Sequence, residues 1–182
     1  MTDPGFTISD APEGEEPKRR RRGRPEQPKP HEILAGIMGG AKLWHCAQHR
    51  AGFVSVPCGD WFEHHPVKSE GFSNWLLRRF HAATERPLGS GALKDFMATV
   101  NAEALEMGDR GAHGRAWRRV AWHNGAIFLD LGGFDPLGER RAVEVTAGGW
   151  RIVEAGKVPV AFLRGEDALP LPEPIAGAAH YA

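Results

Sequence analysis

The chain has 182 residues with 41% hydrophobic content, enough for one domain of ordinary size plus a tail, and 23 Gly and 14 Pro imply many turns. No run of about 18 apolar residues occurs, which excludes a helical membrane span, and the acidic, polar start lacks the features of a signal peptide. Cytoplasmic residence follows as the expectation. Two cysteines, Cys46 and Cys58, are too few for a disulfide framework.

The formal net charge is zero, but the layout is uneven. Residues 1–17 carry five acids and no Lys or Arg, whereas residues 18–29 carry seven bases against Glu26 alone. That leaves 16 of the 23 bases and 17 of the 23 acids for residues 30–182, so the positive field belongs to the leading segment. Residues 1–30 hold few apolar groups and six prolines. Such a segment cannot bury enough surface to offset its ordering entropy, and it is predicted to be a disordered arm.

Within the arm, Arg22-Gly23-Arg24-Pro25 follows Lys18, Arg19, Arg20 and Arg21 and precedes Lys29. These residues resemble the AT-hook, a short DNA-binding motif of chromatin and bacterial regulatory proteins. The chemistry explains the pattern. A narrow A·T-rich minor groove concentrates negative potential and attracts arginine. Gly23 has no side chain to hold the backbone off the groove floor, and Pro25 favours an extended exit. Guanidinium groups of Arg22 and Arg24 reach the acceptors of A and T, where the guanine amine would obstruct them. The other bases meet phosphates and make binding salt-dependent. The plain alternative is a solvated tail or a general polyanion patch.

The remainder reads as an α+β domain over residues 31–166, with antiparallel hairpins in a small sheet packed on two amphipathic helices. A short helix is predicted over His31–Gly40, although its glycines weaken it. Strands follow at Lys42–Cys46, Gly52–Pro57 and Trp61–Val67. Ser69 caps a helix whose Phe72, Trp75, Leu76 and Phe80 share one face, leaving Arg78 and His81 outward and Arg79 at the margin. Ser90 is expected to cap a second helix carrying Leu93, Phe96, Met97, Val100 and Ala104, with Gly108 as its stop.

The C-terminal half is β-rich. Trp117–Trp122 and Ala126–Leu131 flank His123-Asn124-Gly125, and Asn-Gly accepts positive φ at both turn positions. A two-residue turn there pairs Trp122 with Ile127, Val120 with Leu129, and Arg119 with Asp130 as a charge pair. Ala142–Thr146 and Trp150–Glu154 form a second predicted hairpin, and Val160–Leu163 an edge strand behind Pro159. Residues 167–182, opening with Leu169-Pro170-Leu171-Pro172-Glu173-Pro174, read as an extended Pro-rich linker or tail.

His45, Cys46, His49, Cys58, His64 and His65 lie close in sequence. Of these, Cys46, His49, Cys58 and His64 would supply a four-ligand zinc site if the strands brought them together, though the spacing is not that of a finger. The plainer reading is small buried cysteines and ordinary surface histidines. No phosphate-binding loop, Gly-x-Ser-x-Gly elbow or His-Glu-x-x-His is present, so neither catalytic residues nor a cofactor are expected. Asp130, Asp135, Glu139 and Glu144 lack paired-acid spacing, which leaves a metal-dependent nucleic-acid enzyme as a distant alternative.

Segments spanning residues 43–174 resemble the region ahead of the ATPase domain in phage- and plasmid-type primase-helicase or ATP-binding proteins. They are Leu43-Trp44-His45, Val56-Pro57-Cys58-Gly59, Ser69 through Phe80, Trp122 through Gly132, Ala142 through Trp150, and Leu169 through Pro174. The resemblance implies a place in mobile-element replication beside an ATPase or helicase partner. It assigns no catalytic residue. The combined expectation is a non-enzymatic DNA-binding accessory module. Arg78, Arg79, Arg118 and Arg119 are secondary nucleic-acid candidates. The rival is a protein-interaction module with a polyanion-binding tail.

Overall fold

A computed structural model describes residues 28–134, 140–163 and 169–175, and the fold is α+β. Helix α1 (Pro30–Ile37) begins on a proline, which suits the first helical turn, and the Glu32 carboxylate accepts the Lys29 backbone N–H at 2.9 Å. It drops Leu34 fully into the core. The helix ends before the expected Gly40, which has φ +83° in the following turn.

Strands β1 (Lys42–Cys46), β2 (Ala51–Cys58) and β3 (Trp61–Pro66) form an antiparallel meander, joined on the β1 side by the short parallel β4 (His113–Gly114). Helices α2 (Glu70–Thr84) and α3 (Ser90–Asp109) follow β3 in sequence. The three helices supply one side of the main core, where Leu34, Val54, Val56, Phe72 and Leu76 are all fully buried. Each such side chain contributes about 1.5–3 kcal/mol on burial.

Ser69 caps α2 as expected, its Oγ accepting the Phe72 N–H at 3.2 Å. Helix α3 differs in two respects. Its N-cap is Gly89, with Ser90 already helical and making no capping hydrogen bond. Gly108 does not stop it: that residue is buried inside the last turn, where a Cβ would lie 2.4 Å from the His45 Cβ. The left-handed position is Gly111, at φ +92°. Close approach of helix to strand, rather than termination, requires glycine at 108.

The chain then crosses to the other face of the first sheet. Strand β5 (Ala116–Trp117) pairs in parallel with β10 (Ala161–Phe162), so the expected strand Trp117–Trp122 is broken in two. Its second piece, β6 (Val120–His123), opens a four-stranded antiparallel sheet with β7 (Ala126–Phe134), β8 (Arg140–Thr146) and β9 (Gly149–Glu154). Trp122 faces Ile127 and Val120 faces Leu129, as read from the Asn-Gly turn, whose φ values are 47° and 81°. A parallel bridge from Leu163 to His64 ties β10 to β3 and so couples the two large sheets.

The Arg119 guanidinium does not pair with the Asp130 carboxylate. It donates to the backbone oxygens of Asp130, at 3.3 Å, and Leu169. Asp130 Oδ1 instead accepts the Gly132 N–H at 3.1 Å. Residues 169–175 form neither helix nor strand, and they lie on the domain. Leu171 donates its N–H to the Leu131 oxygen at 2.6 Å, and Glu173 meets Arg141 at 2.7 Å.

Candidate functional site

The helix-free face of the first sheet carries Trp44, Phe53, Ser55 and His64. Trp44 stacks on Phe53 with ring centres 4.7 Å apart, and its indole N–H donates to Ser55 Oγ at 3.0 Å. Ser55 Oγ lies 2.8 Å from His64 Nδ1. Burial, then the neighbouring His65 and Arg140, push the His64 pKa down to about 4. The ring is therefore neutral at pH 7. An indole can only donate, so Ser55 Oγ accepts from Trp44 and keeps both its hydrogen and a second lone pair for the contact with His64 Nδ1, whose direction follows the imidazole tautomer. A Ser–His contact of this length is also half of a hydrolytic triad. Ser55 is only 6% exposed and its oxygen already holds the Trp44 N–H, so the relay orients the imidazole. Composition gave no sign of this relay. A two-residue Gly59-Asp60 turn joins Cys58 to Trp61, and counting back from it sets Ser55 against His64.

The opposite wall comes from the second sheet and the β5/β10 pair. Arg140, 8% exposed, meets Glu63 at 2.9 Å and lies 4.3 Å over the Trp61 ring. His65 and Arg140 together hold the Glu63 carboxyl down to about 2. The His65 contact is 3.8 Å, a charge contact rather than a hydrogen bond, so Arg140 has the better geometry. Arg115 lies 5.9 Å over the Trp117 ring. Between these walls runs a cleft of about 690 Å³, lined among others by Trp44, Trp61, His64, Arg115, Trp117 and Arg140. That size suits a small organic ligand.

Of the residues singled out by sequence, Lys18, Arg19, Arg20, Arg21, Arg22, Gly23, Arg24 and Pro25 lie outside the described residues. Lys29 stands exposed at the start of α1, so the basic segment leads directly into a helix anchored by Leu34. Arg78 and Arg79 are exposed on α2, with Arg79 5.6 Å over the Trp75 ring. Arg118 is exposed and Arg119 is committed to the backbone contacts described above. Because α2 and the β5–β6 link lie on opposite faces of the first sheet, the four arginines do not make one patch.

The strands do not bring the four zinc-ligand candidates together. Cys46 pairs with Ala51 at one end of β2 and Cys58 sits at the other, roughly 23 Å away at strand rise. Cys46 is buried beside Phe53 and Ala116, and His49 is exposed. Among the described residues no cluster of three His, Cys, Asp or Glu side chains is suited to a metal. Nor is any helix among them long and apolar enough to cross a membrane.

A second feature emerges from strand alternation. Val120 and Trp122 on β6, Ile127 and Leu129 on β7, Val143 and Val145 on β8, and Trp150 and Ile152 on β9 share the outer face of the second sheet. None is polar, and Val120, Trp122, Ile127, Val145 and Trp150 are 40–61% exposed. The inner face packs Ala121, Ala126 and Phe128 against Phe162.

No family model, curated protein or solved structure matches the chain.

Proposed function

We propose that this protein is a non-enzymatic DNA-binding accessory module of a mobile-element replication system, resident in the cytoplasm. The basic segment Lys18–Lys29 holds A·T-rich duplex DNA, and the folded domain docks an ATPase or helicase partner. The observation that carries the reading is the Arg22-Gly23-Arg24-Pro25 centre among the seven bases of residues 18–29, the last of which, Lys29, is the N-cap of a helix rooted in the core. A single hook binds weakly, so it serves best as a tether for something rigidly attached. The apolar outer face of the second sheet supports the docking half, since exposed apolar patches of this kind mark interaction surfaces. Its occupant in this reading is the ATPase implied by the sequence resemblance.

Competition binding tests the DNA half. Unlabelled A·T-rich duplex is expected to displace a labelled A·T-rich probe about tenfold better than G·C-rich duplex does, consistent with roughly 1–3 kcal/mol per base contact. The double variant Arg22→Ala/Arg24→Ala is expected to lose that preference. Equal competition by both duplexes would instead favour a protein-interaction module with an unselective polyanion tail.

A further inference from the structure

We propose that the cleft between the two sheets binds a nucleoside phosphate, with its base against the indoles of Trp61 and Trp117 and its phosphate at Arg115. This goes beyond the arm: it uses a different surface and different residues, and it stands or falls separately.

The walls favour a flat ligand. Trp61 and Trp117 are half-buried and line the cleft, each already placed beside a guanidinium, Arg140 over Trp61 and Arg115 over Trp117. A planar π-system bearing an anionic group satisfies both partners at once, by stacking on the indole and pairing with the cation. Trp44 has another task. It is clamped between Phe53 and the Gly114 backbone, where a Cβ at 114 would come within 2.5 Å of the indole. It thereby fixes the floor and, through Ser55, the orientation of His64.

Charge identifies the phosphate end. Three arginines line the cleft. Arg140 is paired with Glu63 and Arg141 with Glu173, so much of their charge is already answered inside the protein. Arg115 is exposed, and its contact among the described residues is the Trp117 ring. A guanidinium at a cleft rim beside an indole is suited to bidentate phosphate recognition. His64 adds selectivity. With Nδ1 engaged by Ser55, Nε2 is the ring nitrogen left to hydrogen-bond a base or sugar.

Two sources share this chemistry: a free nucleotide and an unpaired residue of a nucleic-acid strand. The experiment uses the full chain with Arg19, Arg20, Arg21, Arg22 and Arg24 changed together to Ala, which removes most of the positive charge of residues 18–29. It is titrated calorimetrically with AMP, with ATP and with a dT oligomer. Saturable binding of either mononucleotide assigns the cleft to free nucleotides; binding of the oligomer alone assigns it to a strand. In both cases Arg115→Ala, a surface change that leaves the fold intact, is expected to weaken binding at least tenfold. Trp117→Leu should weaken it similarly, and Lys94→Ala, at an exposed position on α3 away from the cleft, should leave it unchanged. The proposal is overturned if neither mononucleotide nor oligomer binds, or if Arg115→Ala binds as tightly as its parent.

Discussion

Replacing Gly108 by alanine sets two energies against each other. Helix propensity favours alanine by about 1 kcal/mol, whereas forcing a Cβ to 2.4 Å from the His45 Cβ requires helix and strand to separate. Overpacking of this kind typically costs about 1–3 kcal/mol, so Gly108→Ala is expected to lower stability in a denaturant titration. A gain would show that the helix slides away freely. His64 sets a pH dependence. It titrates near 4 when folded against 6.5 for the free side chain, so the unfolded chain binds the extra proton between those values. The stability associated with neutral His64 is therefore present above about pH 6.5 and drains away toward pH 4, with a ceiling of roughly 3 kcal/mol. Glu63 acts in a lower window: its contribution is present above 4.5 and is lost as pH falls toward 2. In His64→Asn the slope of stability between pH 6.5 and 4 should flatten. An unchanged slope would remove His64 from the account.

Among the elements, the two helix starts offer a direct comparison. Ser69→Ala removes the hydrogen bond to the Phe72 N–H and should cost about 1 kcal/mol. Ser90→Ala removes no capping bond and should cost almost nothing by the same measurement. Equal costs would contradict the assignment of Gly89 as the cap. The contrast also marks what was legible in the sequence. Where a local rule governs, the reading held: the meander of β1 to β3, the apolar face of α2, and the Asn124-Gly125 register follow from alternation, spacing and turn chemistry. The reading failed where distant pairing decides. Strand β5 is two residues long and exists because β10, far along the chain, lies beside it; β4 likewise depends on β1. Gly108 was misread because glycine also fits a helix terminus and only its packing against β1 shows otherwise; Ser90 was misread by one residue, the cap position falling to Gly89.

For the whole molecule, the arm motif is plain in the sequence because it is contiguous, whereas the cleft is assembled from residues spread between Trp44 and Arg140. Each of those side chains alone resembles an ordinary surface or core residue. The relay through Ser55 follows from the register of β1, β2 and β3, whereas the Arg140–Trp61 stack appears only once two sheets are set against each other. The outer face of the second sheet yields a prediction at this scale. Trp122→Lys lies on an exposed position, so it should change folding stability by no more than about 0.5 kcal/mol, while abolishing co-purification with an ATPase partner. Retained co-purification would move the docking surface elsewhere.

In the proposed function, the leading arginines, rather than the folded domain, supply the grip on duplex DNA. Salt dependence tests it most directly. Seven bases neutralising phosphates limit the slope of log affinity against log salt concentration to about −6. Changing Arg19, Arg20 and Arg21 to alanine together should make it shallower by roughly 2.7. A slope unaltered by that triple change would place the DNA contacts outside the arm and contradict the account.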